Sequence, residues 1–140
     1  MHLETKTTTN PKDLFGQLKV SLTKVPAVAW LHAARAMMNG AEKYGPYNWR
    51  EKEVITSIYV DAALRHILSW WEGEGIDPDS GVHHLGHAIA CLAILLDAYE
   101  HGCLINDRPG PGRFDDESAF PYLLRTMNER LTEIANGQTK

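Results

Sequence analysis

The run "LGHAIACLAILL", Leu85 to Leu96, contains one side chain, His87, that is neither apolar nor glycine. A helix that is apolar on every side has to be covered on every side, because each methylene left in water forgoes about 0.8 kcal/mol of burial. The run therefore predicts a central helix over 81–101, covered by other helices of the chain or by a second subunit. Asp79 or Ser80 is the expected N-cap, and Gly102 stands just beyond the end.

The rest of the chain supplies the covering helices. "VPAVAWLHAARAMMNGAEKYG" opens with Pro26 and stops before Gly45 and Pro46, which predicts a helix over 26–43. Residues 53–72 hold no Gly or Pro; at 100° per residue, Asp61, Arg65, Ser69 and Glu72 form a polar stripe opposite Tyr59, Ala63, His66, Ile67 and Trp70. A loop in which Pro109 and Pro111 alternate with Gly110 and Gly112 precedes an amphipathic segment, "PYLLRTMNERLTEIANG". No alternating strand pattern of useful length occurs. The expectation is an all-α fold, a small bundle of about four main helices. Residues 1–25 read as a flexible arm and 26–140 as a single helical domain.

Charge and cysteine usage narrow the function. A net charge of −4 with no run of Lys and Arg argues against nucleic acid and anionic membranes as partners, while free nucleotides stay open because a metal can neutralise phosphate. Cys91 lies inside the apolar run, as a reduced thiol does, and no segment is a membrane span or export signal; the setting expected is the cytoplasm.

His84 and His87 are three apart and share a face with Cys91, Leu95 and Ala98, whereas His83 points about 100° away and is expected to be peripheral. His66 lies on the apolar face of the preceding helix. The loop between the two helices carries Glu72, Glu74, Asp77 and Asp79, which offer hard oxygen ligands. His66, His84 and His87 with Asp77 or Asp79 are thus the candidate ligands of a divalent metal. Buried histidines also serve simply as hydrogen-bonding groups, and Asp79 has a role as a cap. Asp61 and Arg65 make either a helix-surface ion pair worth about 0.3 kcal/mol or a phosphate site held by Arg65. Tyr44, Asn48, Trp49 and Arg50 either stack on a base or plug the end of the bundle. Nucleophile elbow, P-loop, Gly-x-Gly-x-x-Gly, Cys-x-x-Cys and His-Asp signatures do not occur.

The elements "EKYGPYNWRE", "DAALRHILSWWEGEGIDPDSGVHHLGHA" and "NDRPG" together resemble the phage-associated dATP/dGTP diphosphohydrolase N-terminal domain family over about 26–109. The matching positions are Lys43, Tyr44, Gly45, Asn48 and Trp49, then Arg65 and His66, then Ser80, Gly81, His84 and His87. The resemblance implies kinship with MazG-like all-α pyrophosphohydrolases, which use Mg²⁺ or Mn²⁺ to cut nucleoside triphosphates to monophosphate and pyrophosphate and assemble as homodimers or homotetramers. Those enzymes carry Glu-Glu-x-x-Glu and Glu-x-x-Asp ligand patterns. Here Asp61, Arg65 and His66 stand for the first and His84 with His87 for the second, which suits a site with fewer ions or a different metal better than a carboxylate multi-ion site; the cofactor expected is a divalent cation, Mg²⁺ or Mn²⁺ first, with Co²⁺ or Zn²⁺ as alternatives. From residue chemistry, Asp61, Arg65 and Asp79 are the candidate catalytic residues, and Lys43, Tyr44, Asn48, Trp49 and Arg65 the candidate substrate contacts. The competing readings are a non-catalytic helical module that binds a nucleotide or a protein, and an HD-like phosphohydrolase.

Overall fold

The computed structural model describes residues 7–109 and 120–137. The chain forms two compact units, Met1–Asn106 and Asp107–Lys140. The first holds helices α1 (Pro11–Gly16), α2 (Ala27–Tyr44), α3 (Asn48–Glu51), α4 (Thr56–Trp71) and α5 (His84–Glu100), with two short strands, β1 (Val54–Ile55) and β2 (Leu104–Ile105). The second holds α6 (Phe120–Ala135). The fold is all-α in its main elements, and no described helix is long and apolar enough to cross a membrane.

Helix α2 starts directly after Pro26, whose φ of −60° suits a helix entrance, and ends at Gly45, whose φ of 88° is one that side chains with a Cβ rarely adopt. Helix α4 begins at Thr56 rather than at 53, because the chain just before it is held as a strand. Val54 N–H donates to the Cys103 carbonyl at 2.9 Å, the buried Thr56 hydroxyl donates to the Ile105 carbonyl at 2.9 Å, and β1 pairs parallel with β2, Val54 opposite Leu104. Two-residue strands are too short to produce a period in the sequence.

Helix α5 packs against α4 and α2. Its contacts use small residues: Gly86, Ala88, Ala90 and Ala98 are buried, as are Ala36 of α2 and Ala63 of α4. The approach is closest at Gly86, where a Cβ would stand 2.7 Å from the His32 carbonyl oxygen. Val54 and Val82 are the largest fully buried side chains among the described residues.

Two expectations need correction. Neither Asp79 nor Ser80 caps α5; His83 does, its Nδ1 accepting from Leu85 N–H at 3.0 Å while its ring lies 5.1 Å from that of His32. His83 is therefore a structural element rather than a peripheral residue. Within the first unit α2 and α4 do not cover α5 on every side: Leu92, Leu96 and Tyr99 are exposed, Leu96 by 72%. Two packed neighbours leave a third face open.

In the N-terminal segment, Asn10 caps α1 through Lys12 N–H, and Leu14, Phe15, Leu18 and Val20 are exposed. Helix α6 presents Phe120, Leu124, Met127, Leu131 and Ile134 as an exposed apolar stripe. Residues 1–6 of the arm and most of the Pro- and Gly-rich loop, 110–119, lie outside the described residues.

Candidate metal centre

Helix α4 supplies His66, α5 supplies His84 and His87, and the loop between them supplies Glu74, Asp77 and Ser80. That loop folds back on itself. Asp77 N–H donates to the Val82 carbonyl at 2.9 Å, His84 N–H to the Gly75 carbonyl at 2.9 Å and Gly81 N–H to the Asp77 carbonyl at 2.8 Å, with Ile76 and His83 in an antiparallel bridge. Buried Val82 anchors the return limb. Asp77 is turned inward, its side chain 17% exposed, whereas Asp79 is exposed and gives its backbone N–H to Asp77 Oδ1 at 2.9 Å.

His66 touches both other inward histidines. His66 Nδ1 lies 2.9 Å from His84 Nδ1, and the His66 ring stacks on that of His87 at 4.5 Å. His84, 4% exposed, donates from Nε2 to Glu74 Oε1 at 2.7 Å. His87 Nε2 lies 2.7 Å from Ser80 Oγ and 3.9 Å from Asp77 Oδ2. Ligand atoms of His66, Asp77 and His84 fall within 4.8 Å of one another, which makes these three a candidate metal-binding triad.

Burial and neighbouring charges lower the pKa of two of the rings. Burial pushes the His66 pKa down, with the charges of His84 and Arg65 adding to it and Asp77 opposing. Burial likewise lowers His87, helped by His66, His84 and Lys43 against Asp77. A neutral imidazole has a lone pair to offer a cation. One nitrogen each from His66 and His84 and one carboxylate oxygen from Asp77 form a donor set that could hold a divalent metal.

Of the other residues singled out in the sequence, Asp79 lies outside the triad and Asp61 is exposed on α4, with no ion pair to Arg65 among the described residues. Arg65 and Lys43 are also exposed, yet their charges act on His66 and His87 respectively. Tyr44 is 70% exposed and acts on Tyr59, whose hydroxyl pKa is raised first by burial. Asn48 opens α3.

Trp49 is engaged elsewhere. Its indole N–H donates to Asp97 Oδ2 at 2.7 Å, and Arg50 grips the same carboxylate with Nε at 2.9 Å and Nη2 at 2.8 Å. The Arg50 guanidinium lies over the Tyr47 ring at 4.4 Å. Hydrogen bonds from Arg50 first and Trp49 second hold the Asp97 carboxyl far below the usual carboxylate range. This knot ties α3 to the end of α5.

Sequence reasoning did not find the partners Asp97, Glu74 of His84 and Ser80 of His87. Asp97 is 48 residues from Trp49, so no local spacing announces it. The sequence offered Glu74 as a loop carboxylate and Ser80 as a helix cap, but their histidine partners depend on how that loop doubles back.

Comparison with known proteins adds the following. Residues 9–108 match the family model described as dATP/dGTP diphosphohydrolase, N-terminal. The chain is 30% identical over 95 residues to a protein of Salmonella phage PMBT28 named dATP/dGTP diphosphohydrolase. That alignment covers 68% of this chain and 30% of the relative, so the chain spans about a third of the curated protein's length. No solved structure matches.

Proposed function

Because the chain belongs to the dATP/dGTP diphosphohydrolase N-terminal family, we propose that it hydrolyses purine deoxynucleoside triphosphates to monophosphate and pyrophosphate with the help of a divalent cation. The observation that carries this reading is the convergence of His66, Asp77 and His84 within 4.8 Å, flanked by the positive charges of Arg65 and Lys43. Two imidazoles and one carboxylate favour Mn²⁺, Co²⁺ or Zn²⁺ over Mg²⁺. A cation bound there would polarise the phosphate under attack and make its bound water a nucleophile near neutral pH.

The chain's own residues do the rest. Arg65 and Lys43 offset the triphosphate charge, Arg65 with a planar fork that fits phosphate oxygens. Burial lowers the His87 pKa, which favours its uncharged form, and its Nε2 faces Ser80 and Asp77, so it can take the proton released from water. Tyr44 offers an exposed ring to the base. We further propose that the open face of α5 is covered by a second copy of the chain, giving a homodimer or homotetramer.

One observation favours a second reading, that of a non-catalytic helical nucleotide-binding module: every inward histidine already has a hydrogen-bond partner within the chain, His66 with His84, His84 with Glu74 and His87 with Ser80. The two readings part on one experiment. Chelator-stripped protein is supplied with Mn²⁺, Co²⁺ or Zn²⁺, and products from dATP and dGTP are separated. Metal-stimulated release of pyrophosphate, lowered at least about 100-fold in His66→Ala and His84→Ala variants of unchanged helicity, is expected. Nucleotide binding with no turnover under any metal establishes the module instead, and release of triphosphate or inorganic phosphate establishes an HD-like reaction.

A further inference from the structure

From the contact between Glu74 and His84 we infer that Glu74 is a positioning residue, fixing the His84 proton on Nε2 so that Nδ1 is left as the ligand atom. The inference rests on the metal reading above for its purpose, but not for its geometry.

A carboxylate can only accept, so the 2.7 Å contact requires a proton on His84 Nε2. In the neutral ring Nδ1 is then the unprotonated nitrogen, and Nδ1 is the atom that stands 2.9 Å from His66 Nδ1. Without a cation, His66 must donate across that gap. With one, His84 needs no proton shift, because it is already in the tautomer that binds through Nδ1.

The carboxylate reaches His84 because the backbone on both sides of it is tied down. Gly73 turns the chain out of α4 with a φ of 114°, a conformation that strains any other residue. Glu74 N–H then donates to the Ser69 carbonyl at 3.0 Å, and the neighbouring Gly75 carbonyl accepts from His84 N–H at 2.9 Å. A glutamate whose side chain is 53% exposed is thereby aimed at an imidazole that is only 5% exposed. Glu74 bonds the nitrogen on the far side of the ring from His66, and it is Asp77, not Glu74, that joins the ligand triad. A carboxylate behind a metal-binding histidine sets its tautomer and raises its basicity, and removing such a partner typically lowers metal affinity about 10- to 100-fold.

The test has two readouts on the full chain, neither of them activity. The first is the ¹⁵N spectrum of the His84 ring in metal-free protein. Wild type should show a protonated Nε2 and a bare Nδ1, and Glu74→Leu a mixture of tautomers. The second is Co²⁺ affinity followed by absorption, expected to fall about 10- to 100-fold in Glu74→Leu and to be largely kept in Glu74→Gln, which still presents an oxygen acceptor. A wild-type His84 protonated on Nδ1 overturns the proposal, as does a Glu74→Leu protein with the wild-type tautomer and affinity. Equal losses in Glu74→Gln and Glu74→Leu overturn it too, by making Glu74 a ligand. A wild-type protein that binds no metal sinks the metal reading alone, while the tautomer measurement still decides the role of Glu74.

Discussion

A histidine that is to bind a cation or accept a proton needs an uncharged ring, and at His66 and His87 burial, ahead of any neighbouring charge, shifts the pKa down in that direction. Stability follows from the same shift. Both folded pKa values lie below the unfolded value of about 6.5, so between them the unfolded chain binds more protons than the folded one. Stability is then full above that value and declines as pH falls through it towards the lower folded values. Urea midpoints taken at about pH 7.5 and 5.5 should show the decline, and a His66→Gln, His87→Gln variant should flatten it. An unchanged slope in that variant would assign the dependence to other groups. At this scale the sequence was partly readable. Helical spacing is enough to put His84 and His87 on one face, but whether each ring nitrogen meets Glu74, Ser80 or His66 depends on distances of 2.7 to 2.9 Å that no spacing specifies.

Among the elements, α5 is defined by how closely α2 can approach it. The hydrogen in place of a side chain at Gly86 lets the His32 carbonyl stand where a Cβ would be 2.7 Å away, and a backbone oxygen cannot swing aside as a flexible side chain does. Gly86→Ala should therefore cost about 1 to 3 kcal/mol by forcing the two helices apart, read as a lower urea midpoint and weaker burial of His84. Gly40→Ala is the control. No atom lies within 4 Å of its would-be Cβ, and it sits inside α2, so this change should raise stability by about 0.5 to 1 kcal/mol. If both substitutions act alike, close packing at Gly86 is not what holds α2 and α5 together. Helix positions were legible to within a few residues because an apolar period of 3.6 is a strong local signal. The β1–β2 pair and the late start of α4 were not, since they depend on a contact between segments about fifty residues apart.

At the scale of the whole molecule, the apolar residues that the first unit leaves in water set the next prediction. Leu92, Leu96 and Tyr99 of α5 are exposed, as are Leu64, Leu68 and Trp71 of α4, and soluble monomers rarely carry so much uncovered apolar surface on packed helices. Light scattering should find an assembly of two or more chains, and Leu92→Glu with Leu96→Glu should reduce it to a monomer. A wild-type monomer would leave the face to some other partner. Most of the architecture was in the sequence: helix type and order, the inward face of α5 and the apolar run that demands cover all follow from side-chain period and composition, which act locally. His66, Asp77 and His84 were all among the ligands the sequence offered, but the choice of Asp77 over Asp79, the turn of Glu74 onto His84, the capping role of His83 and the grip of Arg50 and Trp49 on Asp97 were decided only by tertiary structure. Each of them joins residues that the chain brings together by folding, and a hydrogen bond that is made or lost over a few tenths of an ångström leaves no period behind it.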